Sequence, residues 1–203
     1  MVKRRWVTYM LVMIIYSCGQ PEFDTEQELQ NYINNTENGY VQHKTVNGID
    51  YSLMYRPTDL LVQQELGTSN KEQNKVDSLR TKYNKYMYFN LSMSKNGQEL
   101  LSTAPKNRNE FGAMVNQLAF GMGEKVHLFT QSKDTLELAD FIYPRMYGMS
   151  RATTIMFVYP REELNNNESL NFTIEDLGLY TGEVKFKIDS EKLNNEPQLS
   201  FKN

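Results

Sequence analysis

Two histidines, His43 and His127, and 25 acidic side chains are the groups in this 203-residue chain with the chemistry to move a proton. His127 lies inside an alternating run, Val126-His127-Leu128-Phe129-Thr130, with no second histidine near it, so it reads as a strand residue rather than a ligand or a base. The sequence contains no G-x-S-x-G elbow, no H-E-x-x-H pair and no P-loop. Gly121-Met122-Gly123 lacks the lysine of a phosphate cradle and reads as a helix stop. A Ser-His-Asp arrangement assembles in space and not along the chain, so it stays open, with only two histidines to supply it. Carboxylates for a glycosidase-type pair are plentiful. Asp140, beside Phe141 and Tyr143, and the Glu175-Asp176 step are the ones to inspect, against a plain reading of strand-end charge and turn. The expectation is therefore no catalytic residue, no metal ligand set and no cofactor, with a hydrolase the weakest of the readings.

Cys18, the only cysteine, takes its chemistry from its position. Lys3, Arg4 and Arg5 precede the mostly apolar run Trp6–Tyr16, the layout of a secretory signal. A spanning helix takes about 20 residues, more than this run offers. Small Ser17 follows, directly before Cys18. Ile15, Ser17 and Cys18 resemble the lipobox of bacterial lipoproteins. In that family the peptidase cuts before the cysteine, the sulfur carries a diacylglycerol and the new amino terminus is acylated. The resemblance implies a signal peptide over 1–17, cleavage between Ser17 and Cys18, and a lipidated Cys18 with a tether over 18–24. Each buried CH₂ of a lipid chain adds about 0.8 kcal/mol, and two or more chains anchor stably. Asparagine-, lysine- and tyrosine-rich usage, Asn38-Gly39-Tyr40, Tyr55-Arg56-Pro57 and Asp176-Leu177-Gly178-Leu179 through Phe186 resemble small lipoproteins of Bacteroidota. That likeness implies an outer-membrane location, on the periplasmic or the surface face, and carries no chemistry with it. A lipidated Cys18 leaves no thiol for a disulfide, a zinc site or a nucleophile.

A third candidate is the stretch Tyr143-Pro144-Arg145-Met146-Tyr147-Gly148-Met149-Ser150-Arg151. Tyrosine, arginine and methionine are enriched in interface cores, and loops on rigid scaffolds carry binding. Tyr143, Arg145, Tyr147 and Arg151 are thus the expected contact residues for a protein or glycan. The plain alternative is a packed loop that closes one end of the fold. Charge narrows the partners. The leader holds three of the 22 basic residues and no acid, so the remainder is more negative than the −3 of the whole chain. A patternless negative balance argues against nucleic acid and gives no reason for electrostatic binding to anionic lipid.

Local pattern predicts the secondary structure that carries these residues. Thr25 and Glu28 form a capping-box pair ahead of the stripe Leu29, Tyr32 and Ile33, which predicts a helix over 26–35. Asn47-Gly48 between runs 40–46 and 49–55 predicts a hairpin. A short helix is expected over 60–66, and a solvated helix or a loop over 68–84. Met87, Phe89, Leu91 and Met93 share one face of a strand over 86–94. Asn107 and the spacing of Phe111, Met114, Val115, Leu118 and Met122 predict a helix ending at Gly121-Gly123. Beyond it, runs 126–130, 135–143, 152–159, 169–174 and 182–188 alternate as strands, with a last one near Leu199 and Phe201. The pentapeptide Phe141-Ile142-Tyr143-Pro144-Arg145 returns as Phe157-Val158-Tyr159-Pro160-Arg161, which reads as two strands ending alike. The expected fold is α+β, with an antiparallel β-sandwich mainly in the C-terminal half, a few short helices and an N-terminal hairpin, in one domain over 25–203. The first functional expectation is a lipid-anchored, non-enzymatic component of an outer-membrane or secretion-related assembly. The second is a surface binder of glycan or peptide.

Overall fold

The computed structural model describes residues 20–67, 72–161 and 169–201. Strand β1 (Glu22–Phe23) leads into helix α1 (Glu26–Asn34). Thr25 Oγ1 accepts from Glu28 N at 3.2 Å and the Glu28 carboxylate accepts from Thr25 N at 3.3 Å, so the capping box forms as its residue types require. Leu29 and Ile33 bury the helix stripe. Strands β2 (Val41–Val46) and β3 (Ile49–Tyr55) are joined by Asn47 and Gly48, at φ 50° and 72°. Positive φ at both positions is what a two-residue hairpin needs to match strand twist. Pro57 stops β3 and opens helix α2 (Thr58–Leu66), and helix α3 (Gln73–Tyr83) follows. Burial of Val76 and Leu79 holds the polar stretch before β4 as a helix.

Strand β4 (Tyr86–Lys95) turns through Asn96-Gly97 into β5 (Gln98–Glu99) and helices α4 (Leu100–Thr103) and α5 (Arg108–Asn116). A π turn over Gln117–Gly121 and a 3-10 turn over Met122–Glu124 end that helix. Strands β6 (Val126–Phe129), β7 (Thr135–Leu136), β8 (Asp140–Ile142), β9 (Thr153–Pro160), β10 (Ser169–Ile174) and β11 (Val184–Asp189) complete the β structure, before helix α6 (Ser190–Asn194) and strand β12 (Gln198–Leu199).

The fold is α+β, built on a sandwich of two antiparallel sheets. One has the order β2-β3-β4-β9-β8, with β5 on β4, and the other β11-β10-β6-β7. The N-terminal hairpin is continuous with the first sheet. Period-two alternation puts Tyr51, Leu53, Phe89, Leu91, Phe157 and Tyr159 on its inner face and Leu128, Phe172 and Phe186 on the inner face of the other. Phe172 is the hub. Its ring lies 5.8 Å from Phe89, 5.7 Å from Phe157 and 6.5 Å from Tyr159. Burying each such side chain contributes roughly 1.5–3 kcal/mol.

The single strand expected over 135–143 is instead two strands in different sheets, β7 on β6 and β8 on β9. Residues 137–139 carry the chain across the open side of the sandwich, a change that period-two alternation does not encode. Residues 22–23, read as tether, pair in parallel with β12. On the opposite side, Gln42 Nε2 donates to the Lys187 carbonyl at 2.6 Å and Lys44 Nζ to that of Lys185. These side chains cap the outward carbonyls of edge strand β11, which protects it from pairing with another chain.

Strand direction gives the molecule two poles. The turns β2–β3 and β4–β5, helices α4 and α5, and the β8–β9 and β10–β11 connections lie at the upper pole. Helices α1, α2, α3 and α6 and the β1–β12 pair lie at the lower pole, where Gln20 Nε2 donates to the Asn194 carbonyl and Gln198 N to that of Pro21. The ten residues of β4 set the poles roughly 33 Å apart at about 3.3 Å per residue.

Candidate functional site

The β8–β9 connection carries the four expected contact residues, and the structure splits them. Phe141 stands directly opposite Phe157 in the β8–β9 ladder, so the two Pro-Arg endings point to opposite poles. Tyr143 packs against the core, and burial, followed by the nearby Glu99 charge, raises its pKa. Arg145, Tyr147 and Arg151 are exposed. Tyr147, 81% exposed, sits at φ 52°, and Gly148 follows at φ 82°. A bulky residue in the left-handed region is strained, and such strain persists only when the surroundings impose it. Here the constraint is buried Glu99, whose carboxylate accepts from Gly148 N at 2.7 Å.

Other apolar side chains at the upper pole are exposed as well. Met149 (78% exposed), Phe120 (74%), Tyr180 (83%), Phe111 and Met146 stand in solvent there. Tyr180, at φ 58°, repeats the strained, outward geometry of Tyr147. Sequence reasoning placed Phe111 on a core-facing stripe and passed over Phe120 and Tyr180. The π turn accounts for Phe111: one extra residue in a turn rotates the helix before it by roughly 100° relative to the residues after it. Leu118 and Met122 therefore reach the core while α5 itself buries no residue. For Phe120 the available signal was its position off the Phe111–Met122 stripe.

Between α5 and the β10–β11 connection runs a cleft of about 590 Å³. Its floor includes Ile49, Met114 and Leu179, its mouth includes Tyr180, and Lys95, Lys106 and Lys125 line it. Its two acids face backbone donors. Glu110 accepts from Lys106 N and Asn107 Nδ2, both at 2.8 Å, at the start of α5. Asp176 accepts from Leu179 N at 2.8 Å, which shapes the connection that carries Tyr180.

The groups singled out for proton chemistry come together in part. His127 Nε2 lies 3.2 Å from Glu175 Oε1, and Lys125 Nζ donates to Glu175 Oε2 at 2.7 Å. The Lys125 hydrogen bond, then that of His127, lowers the Glu175 pKa. The cluster lies partly exposed at one end of the two inner strands of the four-stranded sheet and ties β6 to the end of β10. Among the described residues Asp140 accepts only from the adjacent Phe141 N, as a strand-end charge does. His43 is exposed on β2. Among the described residues no group of three His, Cys, Asp or Glu side chains is placed to hold a metal ion.

Two more buried carboxylates, Asp59 and Glu196, sit at the lower pole, and sequence pattern did not single them out. Asp59 accepts from Arg80 Nε at 2.8 Å, from an Arg80 terminal nitrogen at 2.6 Å and from Leu199 N at 2.7 Å. The Asp59 hydrogen bond raises the Arg80 pKa. Glu196 accepts from Tyr55 Oη, Thr58 N and Arg161, and Arg161 donates to the Leu193 carbonyl at 2.8 Å. Burial, followed by the Glu196 charge, pushes the Tyr55 pKa well up. Each arginine is matched by a carboxylate, so this network clamps the C-terminal tail to α2 and α3.

Ser17 and Cys18 lie outside the described residues. Among the described residues no helix is long and apolar enough to cross a membrane. No family model, curated protein or solved structure matches the chain.

Proposed function

We propose that this chain is a lipid-anchored, non-enzymatic component of the cell envelope, held by Cys18 and engaging an outer-membrane or secretion-related assembly through its upper pole. The observation that carries this reading is the separation of the poles. The described chain enters at the lower pole beside α6 and β12, while Phe120, Tyr147, Met149 and Tyr180 stand exposed at the other. Apolar side chains exposed singly are ordinary on a monomer, and the grouping of these four at one pole is what we read as a contact surface. A tether at one pole leaves that surface free.

Metabolic labelling with an alkyne fatty acid tests the anchor, comparing wild type with Cys18→Ala and fractionating the cells. Label and membrane association are expected to vanish together in the variant. A photo-crosslinker at Tyr147 tests the pole, with one at exposed Lys75 on α3 as the reference. A discrete adduct with an envelope protein is expected from Tyr147 alone, and equal labelling of both fractions with no adduct from Tyr147 removes the reading. A second reading, a surface binder of glycan or peptide, is favoured by one observation: the cleft beside Tyr180 is of a size that holds small ligands.

A further inference from the structure

The cleft between α5 and the β10–β11 connection has its own chemistry, which narrows this second reading and rests on it. Its floor is apolar: Ile49 and Leu179 are buried, and Met114 packs on the core. Tyr180 stands at the mouth with its ring in solvent, on a backbone fixed at φ 58° by the Asp176–Leu179 turn. Of the three lysines, Lys125 is paired with Glu175. Among the described residues neither Lys95 nor Lys106 makes an ion pair. The two acids of the lining already accept backbone hydrogen bonds. The cleft thus offers two lysines outside any ion pair among the described residues, an exposed aromatic ring at the rim and an apolar floor.

We propose that this cleft binds an acidic oligosaccharide, a chain of sugar acids whose carboxylates meet Lys95 and Lys106 while the C–H face of one ring lies on Tyr180. A flat ring with an apolar face and an acidic edge uses all three features at once. An extended peptide does not, because strand addition needs an unpaired edge. The strands whose ends line the cleft are paired on both sides, β3 by β2 and β4, and β4 by β3 and β9. A helix in a groove needs a mostly apolar trough, and lysines interrupt this one.

The test is calorimetric titration of the full chain in detergent, at low salt so that screening is weak. The probes are tetragalacturonate, neutral cellotetraose and tetraglutamate. Tetragalacturonate is expected to bind at least ~10-fold more tightly than either of the others. Tyr180→Ala, and Lys95→Ala combined with Lys106→Ala, are each expected to weaken it by roughly 10-fold. A charge-matched control, Lys185→Ala with Lys187→Ala on the exposed face of β11, is expected to leave binding unchanged. Equal binding of tetraglutamate overturns the sugar class. Tetragalacturonate binding that ignores the cleft variants overturns the site and leaves the broader glycan reading standing. No binding of any probe removes both.

Discussion

Asp59→Ala at the lower pole is expected to cost about 2–4 kcal/mol, toward the lower side of what breaking a buried ion pair costs. The carboxylate is 3% exposed and accepts three hydrogen bonds, two from Arg80 and one from Leu199 N. Its loss leaves the Leu199 amide without its acceptor, a penalty of about 1–3 kcal/mol for a buried donor. It also leaves a guanidinium with no counter-charge, but the Arg80 side chain is 30% exposed and keeps its bond to the Leu199 carbonyl, so water recovers part of that cost. Urea unfolding of the full chain in detergent reads the total, and amide exchange at Leu199 reads the local part. Because the carboxylate spans α2, α3 and β12, exchange at Leu199 is expected to accelerate by more than the global change requires. Arg80→Ala alone is expected to cost at least as much as Asp59→Ala, since it leaves the buried Asp59 carboxylate without a counter-charge and the Leu199 carbonyl without its donor. A loss under about 1 kcal/mol with unchanged exchange at Leu199 would refute the clamp, since exposed ion pairs have that worth.

Phe172→Ala removes the ring that meets Phe89, Phe157 and Tyr159 across the two sheets. A loss of about 3–5 kcal/mol is expected from urea midpoints, and a loss under about 1 kcal/mol would show that the sheets do not meet there. High pH supplies another prediction. Burial raises the pKa of Tyr55 and Tyr159 above the ordinary tyrosine value of 10.0, so both keep their protons in the folded state after the unfolded chain has lost them. Stability is therefore full below about pH 10 and falls as pH rises above it, because the unfolded chain releases protons that the folded chain keeps. Absorbance of tyrosinate is expected to rise in two phases, exposed rings first and the buried ones, Tyr55 and Tyr159 among them, only with unfolding. Titration of all the tyrosines in one phase near pH 10 would contradict their burial.

The parts of the fold that neighbouring residues decide were legible in the chain. Thr25 with Glu28 and Asn47 with Gly48 need only each other, and β4 announces its inner face through Met87, Phe89, Leu91 and Met93. Crossing between sheets is a different matter. Thr135 to Ile142 alternates as one strand does, and nothing in the alternation says that residues 137–139 leave one sheet for the other. The twin pentapeptides make the same point about sites. Arg161 is drawn into the lower network by Tyr55 and Glu196, while Arg145 stays in solvent, so identical local sequence gives opposite fates. Arg145, Tyr147 and Arg151 were recognisable because they lie close together in a single loop. The cleft was not, because Ile49, Lys95, Met114 and Leu179 come from four separated segments.

Chain length then fixes what a Cys18 anchor does with these two ends. From Cys18 to Glu22, where pairing with β12 begins, four residues reach at most about 14 Å when fully extended. Under the proposed anchor the lower pole would be held close to the bilayer surface, and the clamp of Asp59, Arg80, Glu196 and Arg161 would be the base through which a pull on the tether enters the domain. The upper pole stands one strand length farther out, roughly 33 Å by the ten residues of β4. On that proposal Tyr147, Phe120 and the cleft beside Tyr180 would be presented beyond the headgroup region, to whatever occupies the aqueous space. This placement matches the charge balance. A chain with net negative charge has no electrostatic reason to lie flat on anionic lipid, and a short tether at one end lets it stand away from the surface.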